Sequence, residues 1–169
     1  MNKLRWVEIL SSWQSFFATV AGVFAALTGL VFVALSINLK EILSIEGLSG
    51  RAGEAILLLL YPVFVGIIGI APQSNIHSLG WQIGIPTALL LAFIVKIIQS
   101  AIKLGKGRPI YEIGTRITLA VLPTFAGLIA SVMLITGMRG GFWTLLITVI
   151  LCAISGVSDA WVLLVEILR

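Results

Sequence analysis

One aspartate (Asp159), one histidine (His77) and one cysteine (Cys152) are all that 169 residues supply of these three reactive types. An aspartyl intramembrane protease needs two carboxylates sharing a proton, and a single Asp does not supply the pair. A Ser/His protease needs its base within hydrogen-bond reach of the nucleophile. His77 lies in a turn far from Ser155 and Ser158. No His stands where a span could offer it to haem, and no Gly-rich phosphate loop precedes a Lys. One Cys and one His build neither an intrachain disulfide nor a metal cluster within one chain. Proton-coupled transport usually places Asp, Glu or His near the middle of a span, and that zone reads as apolar. The expectation is a protein that is not an enzyme and carries no cofactor or metal. A net charge of +4, spread over so apolar a chain, also argues against a nucleic-acid partner.

The remaining ionisable and polar residues allow smaller roles. Asp159 sits in Ser155-Gly-Val-Ser158-Asp159-Ala-Trp161, late in an apolar run. An ionisable residue in a span is a functional candidate by default. Its depth equally allows hydration, or pairing with Lys96 or Lys103. Arg51 and Glu54 are three apart and Glu112 and Arg116 four apart, spacings that make helical neighbours; both read as interfacial ion pairs. Asn38 ends the first apolar run, either as the point where a helix emerges or as an amide bonded to the next hairpin. Lys96, Lys103, Lys106, Arg108 and Arg116 form a basic set that would contact anionic lipid, each worth about 1 kcal/mol near such a surface.

The most informative spacing is in the first helix. Ser15, Ala18, Gly22, Ala25, Gly29 and Ser36 share one helical face. Small residues let two helix backbones approach closely in lipid. This stripe should therefore pack against something: another helix of the same chain, a second subunit, or as a small-residue pore lining.

The elements that carry these residues follow from hydropathy. Hydrophobic residues make up 59% of the chain and charged residues 11%, against about 25% charged in soluble domains. The fold class is an all-α polytopic membrane bundle of about five spans in one transmembrane domain, 1–169. Helix 1 (within 1–44) is expected from Trp13 to Asn38. A hairpin over 51–103 holds helices Ala55–Ala71 and Trp81–Ile102. A second hairpin over 111–169 holds Ile117–Thr136 and Phe142–Ile167. Lys3 and Arg5 precede the first run as in a signal peptide, but that run is too long and reads as a retained helix. Pro86 lies in the first turns of its span, and Pro62 and Pro123 should each free a carbonyl one turn back and kink the helix.

Lys/Arg counting sets orientation. With the N-terminus outside, Lys40, Arg51, Lys96, Lys103, Lys106, Arg108, Arg116 and Arg169 lie inside, eight against three (Lys3, Arg5, Arg139). Trp13, Trp81, Trp143 and Trp161 fall near interfaces. Pro62-Val-Phe64-Val-Gly66 and Pro123-Thr-Phe125-Ala-Gly127 share one pattern, offset by 61 from Pro62 to Pro123. The same offset sets Gly80-Trp81 on Gly141-Phe142. This is either a parallel internal repeat or coincidence among residues common in membrane helices.

The stretch Phe16 to Gly22, the run Leu30 to Asn38, the segment Gly50-Arg51-Ala-Gly-Glu54-Ala and the ending Asp159-Ala-Trp161 to Glu166-Ile resemble a family of small bacterial five-span membrane proteins. Some members of that family are labelled modulator of FtsH protease. The resemblance covers most of the chain and implies the bacterial cytoplasmic membrane. The family is expected to carry Asn at position 159, where this chain has Asp, so a family role there would not need a charge. The functional expectation is a homo-oligomeric regulator or scaffold acting through helix–helix contact, with membrane lipids and another membrane protein as partners. The alternative is a passive channel lined by Ser15, Thr19, Thr28, Ser36 and Asn38 or by the proline-bearing helices. A third is a lipid-binding or lipid-moving protein.

Overall fold

A computed structural model describes residues 3–45, 47–104 and 110–167; side chains at 3–5, 7, 101–104, 110–113, 115–116 and 166–167 are not described. The chain is an all-α membrane bundle. The helices are α1 (Lys3–Ile37), α2 (Leu39–Ser44), α3 (Leu48–Ile70), α4 (Ile76–Leu104), α5 (Ile110–Ile135) and α6 (Gly140–Ile167). All but α2 contain an apolar stretch long enough to cross a bilayer.

The helices run longer than hydropathy alone suggests. α1 begins at Lys3 rather than near Trp13, and α3 at Leu48 rather than Ala55. The α1 extension is rich in good helix formers such as Lys3, Leu4, Arg5 and Glu8, whereas the α3 extension, with Ser49, Gly50 and Gly53, is held by burial of Leu48 and Ala52 against Leu35, Ile42 and Leu163. Short turns join the pairs. Gly137, with φ 75°, ends α5 in the left-handed conformation that favours glycine. The Met138 amide then donates to the Met133 carbonyl at 2.8 Å. The segment 72–80, expected as a turn, is a turn only to Asn75, whose side-chain oxygen accepts from the Ser78 amide at 2.7 Å. His77 therefore opens α4. Its Nδ1 donates to the Ile135 carbonyl, tying α4 to the end of α5.

Four helices form a ring. α4 packs on α5, α5 on α6, and α6 on α3, while α3 meets α4 more sparsely. α1 lies outside the ring, against α3. A parallel repeat relating α3 to α5 and α4 to α6 requires this ring order. The matched positions also share surroundings: Pro62 and Pro123 are buried, Phe64 and Phe125 exposed, Gly66 and Gly127 buried. α1 breaks the correspondence. Its Trp6 and Trp13 stack on Phe142 at 6.1 and 5.4 Å between ring centres, so Phe142 is buried where Trp81 stays exposed.

The face by which α1 joins the ring is aromatic. Phe17, Val20, Phe24 and Leu35 are buried. α3 meets them with its own glycines: a methyl group on Gly66 would stand 2.6 Å from the Phe17 carbonyl oxygen and 2.8 Å from the Ala21 Cβ. Close approach between α1 and α3 thus depends on α3's small residues, not on the α1 stripe. Trp13 is half-buried among Phe16, Phe142 and Trp143, whereas Trp81, Trp143 and Trp161 are exposed as interface anchors should be.

Candidate functional site

Two polar features stand out, at the end of the bundle opposite the 71–75 and 136–139 turns and along its axis. At that end, Arg51 and Glu54 occupy the first two turns of α3, three residues apart and so on one face. Asp159 comes from the antiparallel α6. The helices can approach there because α6 carries Gly156, where a methyl would stand 2.7 Å from the Leu59 side chain. Arg51 Nε donates to Asp159 Oδ1 at 3.3 Å, and the two side chains are 16% and 2% exposed. Glu54 is 0% exposed.

This placement corrects three expectations. Asp159 is not hydrated at the boundary, and its partner is Arg51 rather than Lys96; Lys96 is exposed on α4. Arg51 and Glu54 are not a modest interfacial pair, because Glu54 is sealed inside the bundle. The interior at this level is not free of ionisable groups: among the described residues, Glu54 and Asp159 are buried there and Arg51 reaches Asp159. Bringing three ionisable side chains out of water costs several kcal/mol per ion. Mutual attraction at short range and the five donors of a guanidinium offset that cost. The cluster ties the start of α3 to the late turns of α6.

The second feature runs along the ring's axis. On α6, Thr144, Thr148, Cys152, Ser155 and Asp159 recur at spacings of four, four, three and four, one face of a helix. Thr148, Cys152, Ser155 and Asp159 are buried. Tyr61 (α3), Thr87 (α4), and Thr124 and Ser131 (α5) face the same interior and are buried too. Tyr61 Oη lies 2.8 Å from Thr87 Oγ1, and Thr87 Oγ1 donates to the Ile83 carbonyl at 2.6 Å. A threonine has one hydroxyl hydrogen, so Tyr61 is the donor in their contact. Gly127 leaves room for it: a methyl there would stand 3.0 Å from Tyr61 Oη and 2.9 Å from Thr87 Cγ2. Ser131 and Thr148 donate to the carbonyls of Gly127 and Thr144 on their own helices. Hydroxyls engaged in this way fasten helices and satisfy themselves. Sequence reasoning passed over this column, although the α6 spacing carried the signal.

The remaining candidates lie apart from both features. Ser15, Ala18, Gly22, Ala25, Gly29 and Ser36 are all exposed on the outward face of α1. Nothing stands within 4 Å of where a Cβ on Gly22 or Gly29 would be. Packing of this stripe within the chain is thereby overturned. Asn38 does not reach the next hairpin; its Nδ2 donates to the Ala34 carbonyl at 2.9 Å and closes the end of α1. Thr28 and Ser36 likewise donate to Phe24 and Phe32 carbonyls. Of the basic set, the side chains of Lys103 and Arg116, and all of Lys106 and Arg108, lie outside the described residues, as does the Glu112 side chain.

No family model matches the chain, and neither a curated protein nor a solved structure does. The membrane-bundle fold and its five candidate spans therefore rest on the chain's own sequence and structure.

Proposed function

We propose that this chain is a non-catalytic membrane protein acting through helix–helix association, as a homo-oligomeric regulator or scaffold of other membrane proteins in the bacterial cytoplasmic membrane. One observation carries the reading: the small-residue face of α1 points away from its own bundle, with open space at Gly22 and Gly29. Lipid tails are as apolar as leucine, so helices in a bilayer associate by close packing rather than by exclusion from water. A face of Ser, Ala and Gly, seven residues between its two glycines, offers about 10 Å of smooth contact surface.

Gly22→Leu and Gly29→Leu test it. Both positions are exposed with open space where a Cβ would stand, so the fold should survive. The mass of the purified protein, measured by light scattering with the detergent contribution subtracted, should exceed one chain for the wild type. It should fall toward one chain in each variant. A monomeric wild type, or both variants keeping the wild-type mass and full recovery of co-purifying membrane proteins, would overturn the proposal.

A passive channel is the second reading. Ser15, Thr19 and Ser36 are exposed on α1, so a ring of α1 helices would turn hydroxyls toward its own axis. Single-channel recording in planar bilayers decides it, and silence across ions and voltages would remove it.

A further inference from the structure

The ring is loosest between α3 and α4. There the two helices leave a cleft of about 300 Å³, lined by Leu57, Leu60, Tyr61 and Phe64 on one side and by Pro86, Leu89, Leu90 and Phe93 on the other. Its lining is nearly all apolar. Leu57 to Phe64 on α3 spans seven residues, roughly 10 Å along the membrane normal. Pro86 to Phe93 on the antiparallel α4 spans the same depth.

One end of the cleft carries charge. Leu89, Phe93, Lys96 and Ser100 follow at spacings of four, three and four, so the lysine continues the cleft face of α4. Lys96 is exposed, yet lies four residues inside the end of the apolar span at Ser100. Across from it, α3 continues its cleft face from Leu57 to Gly53, where a Cβ would find nothing within 4 Å. Beyond that the helices close up, with a Cβ on Gly50 in contact with Ile97 at 3.5 Å. A lysine four residues inside a span end reaches the interface by snorkelling along the helix, where its ammonium meets the level of the lipid phosphates.

We propose that the α3–α4 cleft is a binding site for one anionic phospholipid. An acyl chain lies between Leu57, Phe64, Leu89 and Phe93, and the phosphate meets the Lys96 ammonium at the charged end. The length, the apolar lining and the Lys96 cation at one end fit an amphiphile with a negative head. The site is independent of the α1 face, so it stands or falls separately from oligomer formation.

Native mass spectrometry of the full chain, released from micelles doped with equal amounts of phosphatidylglycerol and phosphatidylcholine, tests the site. The wild type should retain phosphatidylglycerol in preference, one per chain. Lys96→Gln should lower that preference about fivefold, the worth of one lysine near an anionic surface. Leu89→Trp, at an exposed position, should reduce retention of both lipids by crowding the cleft. Circular dichroism and a single elution peak would establish that each variant is folded. An unchanged preference in Lys96→Gln would overturn the assignment of the phosphate to that residue. Unchanged retention in Leu89→Trp would overturn the placement of the chain, and equal retention of both lipids by the wild type would overturn the whole proposal.

Discussion

Glu54 and Asp159 are buried acids and Arg51, 16% exposed, is the base that meets Asp159, so losing the base and losing an acid should act differently. Removing the base takes from Asp159 the guanidinium that donates to its Oδ1. Breaking a buried ion pair in this way typically costs about 3–5 kcal/mol. Asparagine in place of the acid keeps both the shape of Asp159 and a carbonyl that accepts from Arg51. Arg51→Met should therefore destabilise the protein much more than Asp159→Asn, read as the loss of monodisperse protein on heating in detergent. Equal losses, or a larger loss for Asp159→Asn, would mean that the cluster does not depend on charge balance. The identity of the pair was not legible beforehand. Lys96 and Arg51 both lie at a plausible depth for Asp159, and the antiparallel contact of α3 with α6 brings Arg51 to it across 108 residues of sequence, while the Lys103 side chain lies outside the described residues.

At the scale of elements, glycines on two helices have opposite roles. Gly66 on α3 faces the Phe17 carbonyl oxygen, a backbone atom that cannot swing aside. Over-packing of this kind costs about 1–3 kcal/mol. Gly22 and Gly29 on α1 face open space, and alanine raises helix propensity there by about 1 kcal/mol. Gly66→Ala should lower the thermal midpoint while Gly22→Ala leaves it unchanged or raises it, in the same detergent assay at one protein concentration. A stable Gly66→Ala would show that α1 does not seat against α3 as described. Five spans, their order and the shared faces could be read from the sequence, because hydropathy and the 3.6-residue period are local properties. Which face turns inward could not. In water the polar face of a helix points out, but in lipid both faces are apolar. The stripe on α1 and the glycines on α3 then look alike until the helices are placed. The buried hydroxyls of α6 illustrate the converse, since Thr144 to Asp159 share a face visible in sequence and that face proves to be the interior one.

For the whole molecule, the helix arrangement puts the turns at 71–75 and 136–139, with the start of α1, at one end, and Arg51, Asp159 and Lys96 toward the other. The basic residues are counted on that division. Arg51 pairs with Asp159 inside the bundle, so its charge acts less on orientation than its place in the count suggests. Without it the bias is seven against three, still toward an inner location for the Lys96 end. Lys3 and Arg5 pull the other way, and they flank the first helix to enter the membrane. Labelling can separate the two influences. Cys152, the one native cysteine, is buried, so an introduced cysteine supplies the reactive signal. Ser74 and Ser44 are exposed at opposite ends of the bundle. In the proposed orientation, N-terminus out, a membrane-impermeant maleimide should label Ser74→Cys in intact bacterial cells. It should reach Ser44→Cys only after the membrane is opened. If the whole basic set governs insertion, that order holds, and it should also survive replacement of Lys3 and Arg5 by glutamine. Should Ser44→Cys label first instead, the first helix's own charges govern. The Lys96 end would then face outward, and the anionic lipid drawn to it would come from the opposite leaflet.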